Sequence, residues 1–137
     1  MTDSELAAAI EAIALQAGAA IMEIYARDFE VETKSDDSPV TEADQAAEVI
    51  IVTALRALTP EIPVVAEEEV AAGKQTDVGA GPFWLVDPLD GTREFISRNG
   101  DFTVNIALIR GGEPVLGTVH VPAKDETYTA AGPGQVT

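Results

Sequence analysis

A chain of 137 residues with 46% hydrophobic and 23% charged side chains is sized for one globular domain with a modest core, and is neither disordered nor fibrous. A formal charge of −16 repels nucleic acid backbones and anionic membrane surfaces, so a phosphate-bearing partner has to be met by local cations, which favours a metal. With no cysteine and one histidine, disulfides, thiolate zinc sites, cysteine nucleophiles and His-based metal clusters are excluded.

In chain order, Leu6, Ile10, Ile13, Ala17, Ile21 and Ile24 recur at helical spacing behind the capping side chains of Thr2-Asp3-Ser4, predicting an amphipathic helix to about Tyr25. The start, Met1 to Glu5, lacks the basic and apolar regions of a signal peptide. No apolar run of membrane-spanning length is read, so the expected compartment is the cytoplasm, without membrane insertion. Lys34 to Pro39 reads as a loop, since Pro39 disfavours helix at Ser38. A second helix is predicted from Thr41 as N-cap, with Asp44 at its third position, an apolar stripe of Ala47, Ile50, Ala54, Leu55 and Leu58, and Pro60 past its end.

Val64 to Ala66 is a short buried-strand candidate that runs into Glu67-Glu68-Glu69, three acids that a core cannot all accommodate. Gly73 to Pro82 is a Gly/Ala-rich loop, and Phe83 to Val86 is a second apolar strand that ends on Asp87. Thr103 to Ile109 and Pro114 to Val121 flank Arg110-Gly111-Gly112-Glu113 and predict an antiparallel hairpin, followed by a weaker strand over Glu126 to Ala131. Two long helices followed mostly by strands predict an α+β layered fold with a mostly antiparallel sheet.

The chemistry concentrates in Asp87-Pro88-Leu89-Asp90-Gly91-Thr92, where two carboxylates stand three residues apart at the mouth of a buried strand. Pro88 suits the second position of a β-turn, and Gly91 opens backbone conformations closed to other residues. The N–H groups after Gly91 face an anion if Thr92 to Ser97 begins a helix. Hard oxygen donors suit Mg²⁺ far better than zinc. Two carboxylates about 4 Å apart repel by roughly 4 kcal/mol at an effective dielectric of 20, a cost that a shared divalent cation removes.

Two rival patterns are tested on spacing, and the second stays as a weak rival. An EF-hand needs a bidentate Glu where Arg98 stands. The haloacid-dehalogenase phosphatases place their aspartates two apart, closer than Asp87 and Asp90. Glu67 closes its strand as Asp87 does, so adjacent strands would bring both to one sheet edge. On position alone Asp44 is explained as an acid in the first turn of a helix, and His120 as an edge-strand residue.

The segments Lys34 to Asp44, Glu67-Glu68 and Trp84 to Thr92 resemble, in order and spacing, the inositol-monophosphatase superfamily across nearly the whole chain. Glu94 to Leu108 is most similar to its CysQ branch, the 3′(2′),5′-bisphosphate nucleotidases. The resemblance implies a layered helix/sheet sandwich and a phosphatase using Mg²⁺ held by Glu67, Asp87, the Leu89 carbonyl and Asp90. It further implies that Asp44 and Thr92 orient or deprotonate the attacking water and that the Gly91-Thr92 backbone contacts the phosphate. The implied partner is a small phosphorylated substrate, 3′-phosphoadenosine 5′-phosphate, with an inositol or sugar phosphate as the alternative, and not nucleic acid. Family members are longer and carry a C-terminal W-D motif with a further metal aspartate, whereas the one Trp here is Trp84. Residues 1–137 are therefore expected to be an N-terminal domain without the C-terminal half. Such a chain is expected to be a weak or inactive enzyme, or a non-catalytic metal-binding module, that self-associates through an exposed sheet edge.

Overall fold

The computed structural model describes residues 2–27, 31–33, 39–71, 73 and 81–131. Helix α1 spans Asp3–Tyr25, and the six residues expected to face the core are all buried. It opens on a reciprocal cap: the Glu5 N–H donates to Thr2 Oγ1 (3.1 Å) and the Thr2 N–H donates to Glu5 Oε1 (2.9 Å). By length and composition α1 is long and apolar enough to cross a membrane, which corrects the sequence reading; here its apolar face packs on the sheet and on the next helix.

Two short strands follow, β1 (Val31–Thr33) and β2 (Pro39–Thr41), paired antiparallel. Pro39 thus begins a strand instead of closing a loop; the rest of the loop expected there, residues 34–38, lies outside the described residues. Helix α2 spans Glu42–Leu58 with Thr41 as its N-cap, as expected. Its buried face is rotated from the predicted stripe, to Ala43, Asp44, Ala47, Glu48, Ile51, Val52 and Leu55, while Ile50, Ala54 and Leu58 are only partly buried. Two acids therefore occupy core-facing positions that an apolar count passes over.

Strand β3 (Val64–Ala66) leads directly into the short helix α3 (Glu67–Ala71), so the three acids begin a helical turn. Of the glycine-rich loop expected at 73–82, residues 74–80 lie outside the described residues. Strand β4 (Phe83–Asp90) runs on through Pro88. Helix α4 (Thr92–Ser97) follows, then β5 (Thr103–Arg110), β6 (Glu113–Val121), a single 3-10 turn (Pro122–Lys124) and β7 (Glu126–Ala131). The predicted hairpin is β5–β6, and its turn uses Gly111 (φ 64) and Gly112 (φ 80), backbone that disfavours any side chain.

The five strands form one sheet in the order β3-β4-β5-β6-β7, parallel between β3 and β4 and antiparallel elsewhere. Helices α1 and α2 cover one face, onto which Trp84, Val86, Val104, Ile106, Leu108 and Leu116 point and are buried. Trp84 Nε1 donates to Thr59 Oγ1 (2.9 Å), tying β4 to the end of α2. On the other face Leu85 (47%), Val119 (40%) and Tyr128 (53%) stay exposed. The sheet therefore buries one apolar face and presents another.

Candidate metal and phosphate site

The expected acids come from three elements: Asp44 from α2, Glu67 from the start of α3, and Asp87 and Asp90 from β4. Parallel pairing sets Ala66 opposite Val86, so Glu67, where β3 gives way to α3, stands beside Asp87; β4 does not end there as expected but runs on to Asp90. Between Asp87 and Asp90 the ladder slips: Asp87 pairs with Asn105 and Asp90 with Thr103, so β4 carries one extra residue. Pro88 therefore sits in a β-bulge and not in the predicted β-turn. Proline has no N–H to give the ladder, and a bulge is where a strand tolerates that. The bulge turns Leu89 into the core at 2% exposure and leaves Asp90 exposed.

Gly91 has φ 94 and caps the short α4. A Cβ there would stand 3.1 Å from the Asp101 carbonyl oxygen and 3.3 Å from Phe102 Cα, so both its conformation and its surroundings require glycine. Behind α4, Tyr25, Phe95 and Phe102 pack ring on ring at 5.1 to 5.3 Å between centroids, which fixes the helix that begins with Thr92.

Asp44 is 1% exposed and fully engaged. Its Oδ2 accepts the Thr41 N–H and the Thr41 hydroxyl, both at 2.8 Å, and its Oδ1 accepts the Thr92 hydroxyl at 2.8 Å. It therefore caps its own helix and joins α2 to α4 at once. With its proton committed to Asp44, Thr92 Oγ1 can only accept from a water. The Leu89 carbonyl oxygen lies 3.5 Å from the same hydroxyl.

Asp87 is half-buried, and its Oδ1 is buried without a hydrogen-bond partner. Burial first, then a shared proton and charge repulsion with Glu67, then the charge of Asp90, push its carboxyl up to about 8. Among the described residues no three His, Asp or Glu side chains converge as a finished metal cage. The donor set still fits a hard divalent cation. An orphaned carboxylate oxygen, adjacent acids that resist ionising together and a nearby carbonyl suit an ion that keeps several of its waters. A hollow of about 380 Å³ lined by Glu67, Val70, Leu85 and Asp87 opens beside them.

Two residues given no role in the sequence reading join this constellation. Asn105, set opposite Asp87 by the β4–β5 register, donates from Nδ2 to Asp90 Oδ2 (3.2 Å). Glu48, buried at 7% exposure, accepts the Glu68 N–H at 2.6 Å. Burial raises its carboxyl, and the neighbouring charges of Glu68 and Glu69 add to that, against the hydrogen bonds from their N–H groups. The i, i+4 spacing of Asp44 and Glu48 was the available signal for the latter. His120, expected on an edge strand, instead lies in interior strand β6 at 4% exposure, far from being a surface residue. Its Nδ1 lies 2.9 Å from Thr127 Oγ1.

An acid-lined sheet end beside a glycine-capped helix defines a class, and the chain belongs to the inositol monophosphatase family, whose profile matches residues 2–136. That family is one of metal-dependent phosphatases. Within it, the chain is 54% identical over 121 residues to the 3′(2′),5′-bisphosphate nucleotidase CysQ of Salmonella typhimurium, covering 87% of this chain and 49% of that protein. Among solved structures it matches CysQ of Bacteroides thetaiotaomicron with a TM-score of 0.72 and 40% identity, over 98% of this chain and 48% of that one. It matches the extragenic suppressor protein SuhB of Bartonella henselae with a TM-score of 0.83 and 30% identity, over 96% and 50%. The chain spans about half the length of the curated relatives it matches.

Proposed function

We propose that this site serves Mg²⁺-dependent hydrolysis of a phosphomonoester, with a 3′,5′-nucleotide bisphosphate such as 3′-phosphoadenosine 5′-phosphate as substrate. The observation that carries the reading is the Thr92–Asp44 hydrogen bond (2.8 Å) beside the buried, unpartnered Asp87 Oδ1. Glu67, Asp87, Asp90 and the Leu89 carbonyl would hold the cation. When bound, Mg²⁺ supplies charge that acidifies a water and stabilises the phosphoryl oxygens during in-line displacement. Thr92 Oγ1 accepts a hydrogen bond from that water, which orients a lone pair toward phosphorus. As the water oxygen bonds to phosphorus and the P–O3′ bond breaks, the water's proton passes to Thr92 Oγ1 while the hydroxyl proton of Thr92 moves to Asp44 Oδ1. The 3′ oxygen leaves as an alkoxide that takes a proton from solvent, and Asp44 returns its own to solvent. The backbone N–H groups from Gly91 and Thr92 receive the phosphate.

A bisphosphate is favoured over a monophosphate by the charge pattern. Arg27 pairs with Glu42, Arg56 with Glu69, Arg110 with Asp3 and Lys124 with Asp101, while Arg98 binds the carbonyls of Tyr25 and Arg27. Among the described residues Arg93 alone of the lysines and arginines has no such partner, and it is exposed directly after Thr92. In a chain of charge −16, an uncommitted guanidinium at that position suits a second phosphate.

The test is a chimera in which residues 1–137 replace the matching half of the Salmonella relative. Phosphate release from a 3′,5′-nucleotide bisphosphate and from inositol 1-phosphate is measured side by side with Mg²⁺. Preference for the bisphosphate, with Arg93→Gln raising its KM and leaving that for inositol phosphate unchanged, supports the proposal. Preference for inositol phosphate selects the alternative substrate. Mg²⁺ binding without release from either selects a non-catalytic metal-binding module.

A further inference from the structure

Helix α2 carries two buried acids on one face, Asp44 and, one turn later, Glu48. The first reaches the bulge of β4 through Thr92; the second reaches the start of α3, where one of its carboxylate oxygens accepts the Glu68 N–H at 2.6 Å. The second bond falls on the residue after Glu67, and the first on Thr92, just past the strand that carries Asp87. A buried carboxylate in a core-facing position needs a reason, because an apolar residue there would cost no desolvation. Capping α3 from a neighbouring helix is such a reason.

We propose that Glu48 is a positioning residue: by gripping the first turn of α3 it holds the Glu67 carboxylate against Asp87, in register for a divalent cation. The proposal rests on the metal-site reading above. Helix α3 is five residues long, too short to hold itself together by its own hydrogen bonds, and its first turn carries three acids. Left to local forces, the chain after Ala66 would sample many directions, and Glu67 with it. A second tie from α2 to α3, Arg56 to Glu69 at 3.1 Å, is partly exposed and open to screening. Glu48 supplies the buried anchor, so one face of α2 holds both Thr92 and the start of α3.

The experiment compares the chain with Glu48→Met, which keeps the volume and loses the acceptor, and Glu48→Gln, which keeps the acceptor and loses the charge. Amide exchange at Glu68 and Glu69 reports the anchor, and calorimetric Mg²⁺ titration reports the site. Glu48→Met is expected to lose protection at both amides and to bind Mg²⁺ about tenfold more weakly, the size of effect seen when groups that orient metal ligands are removed. Glu48→Gln is expected to keep protection and bind within about threefold of wild type. Wild-type affinity in Glu48→Met, or equal losses in Met and Gln, overturns the positioning role while leaving the metal site in place. A tenfold loss in Glu48→Gln overturns it even if Glu48→Met does not fold. Absence of Mg²⁺ binding in the wild-type chain rejects the metal-site reading itself and this role with it.

Discussion

Asp87 shows how a single side chain links stability to ligand binding. Its carboxyl is raised from 3.8 to about 8 in the metal-free fold, so the folded state keeps a proton that the unfolded chain releases. The stability from this group is complete below the lower value and is lost as pH rises toward the upper one. Glu48, also raised, acts with the same sign. The urea midpoint of the metal-free chain should therefore fall between about pH 5 and 8, and fall less steeply in Asp87→Asn. Since Mg²⁺ binds the ionised form, its apparent affinity in the wild-type chain should rise across the same window, and Asp87→Asn should abolish most binding. A variant with wild-type Mg²⁺ affinity would remove Asp87 from the site. Thr92 acts on the chemical step instead. In the chimera Thr92→Ala should lower kcat by about 100-fold or more while leaving Mg²⁺ affinity within a few-fold, and a large loss of affinity would contradict that role.

At the scale of elements, the contact between α1 and β6 is set by a missing Cβ. A methyl group added at Gly18 would stand 2.5 Å from His120 Cδ2 and 2.6 Å from Nε2, and the ring is held on its other side by Thr127. Overpacking of this kind costs about 1–3 kcal/mol, against about 1 kcal/mol gained from replacing a mid-helix glycine. Gly18→Ala should lower Tm, and Gly18→Ala with His120→Ala should recover part of the loss from the clash. An unchanged or higher Tm in the single variant would show that the helix and strand separate at no cost. Register argues the same way for the site: one extra residue in β4 against β5 is what aims Leu89 inward and Asp90 outward.

For the whole molecule, the uncovered sheet face offers a surface for self-association besides the sheet edge. Leu85, Val119 and Tyr128 line a hollow of about 600 Å³ with Val115 and Ala130, reaching Asp87 and Asn105 at one end. We propose that the chain self-associates through this face. Sedimentation should show concentration-dependent oligomers that Val119→Lys with Tyr128→Lys disperses, because a charge on each strand makes the shared burial unfavourable. A wild-type chain that stays monomeric at high concentration would reject it.

Local pattern was enough wherever one chain segment decides its own shape. The 3.6-residue spacing of Leu6 to Ile24, the capping residues Thr2 and Thr41, the Gly111-Gly112 turn and the acid closing the strand Val64 to Ala66 were all legible in the sequence. The resemblance carried by Trp84 to Thr92 supplied the family, and the profile over residues 2–136 agrees with it. What depended on distant partners was not legible. The bulge at Pro88 exists only against the register of β5, and the strand β1 only against β2. The burial of Asp44 and Glu48 is set by what α2 meets, Thr92 and the start of α3, because a buried carboxylate is tolerable only where donors from other elements satisfy it. The sequence by itself determined the two long helices, the β5–β6 hairpin and the segments that carry the acids; the tertiary structure alone decided where β4 bulges and which of those acids share a site, since both depend on hydrogen bonds between segments far apart in the chain.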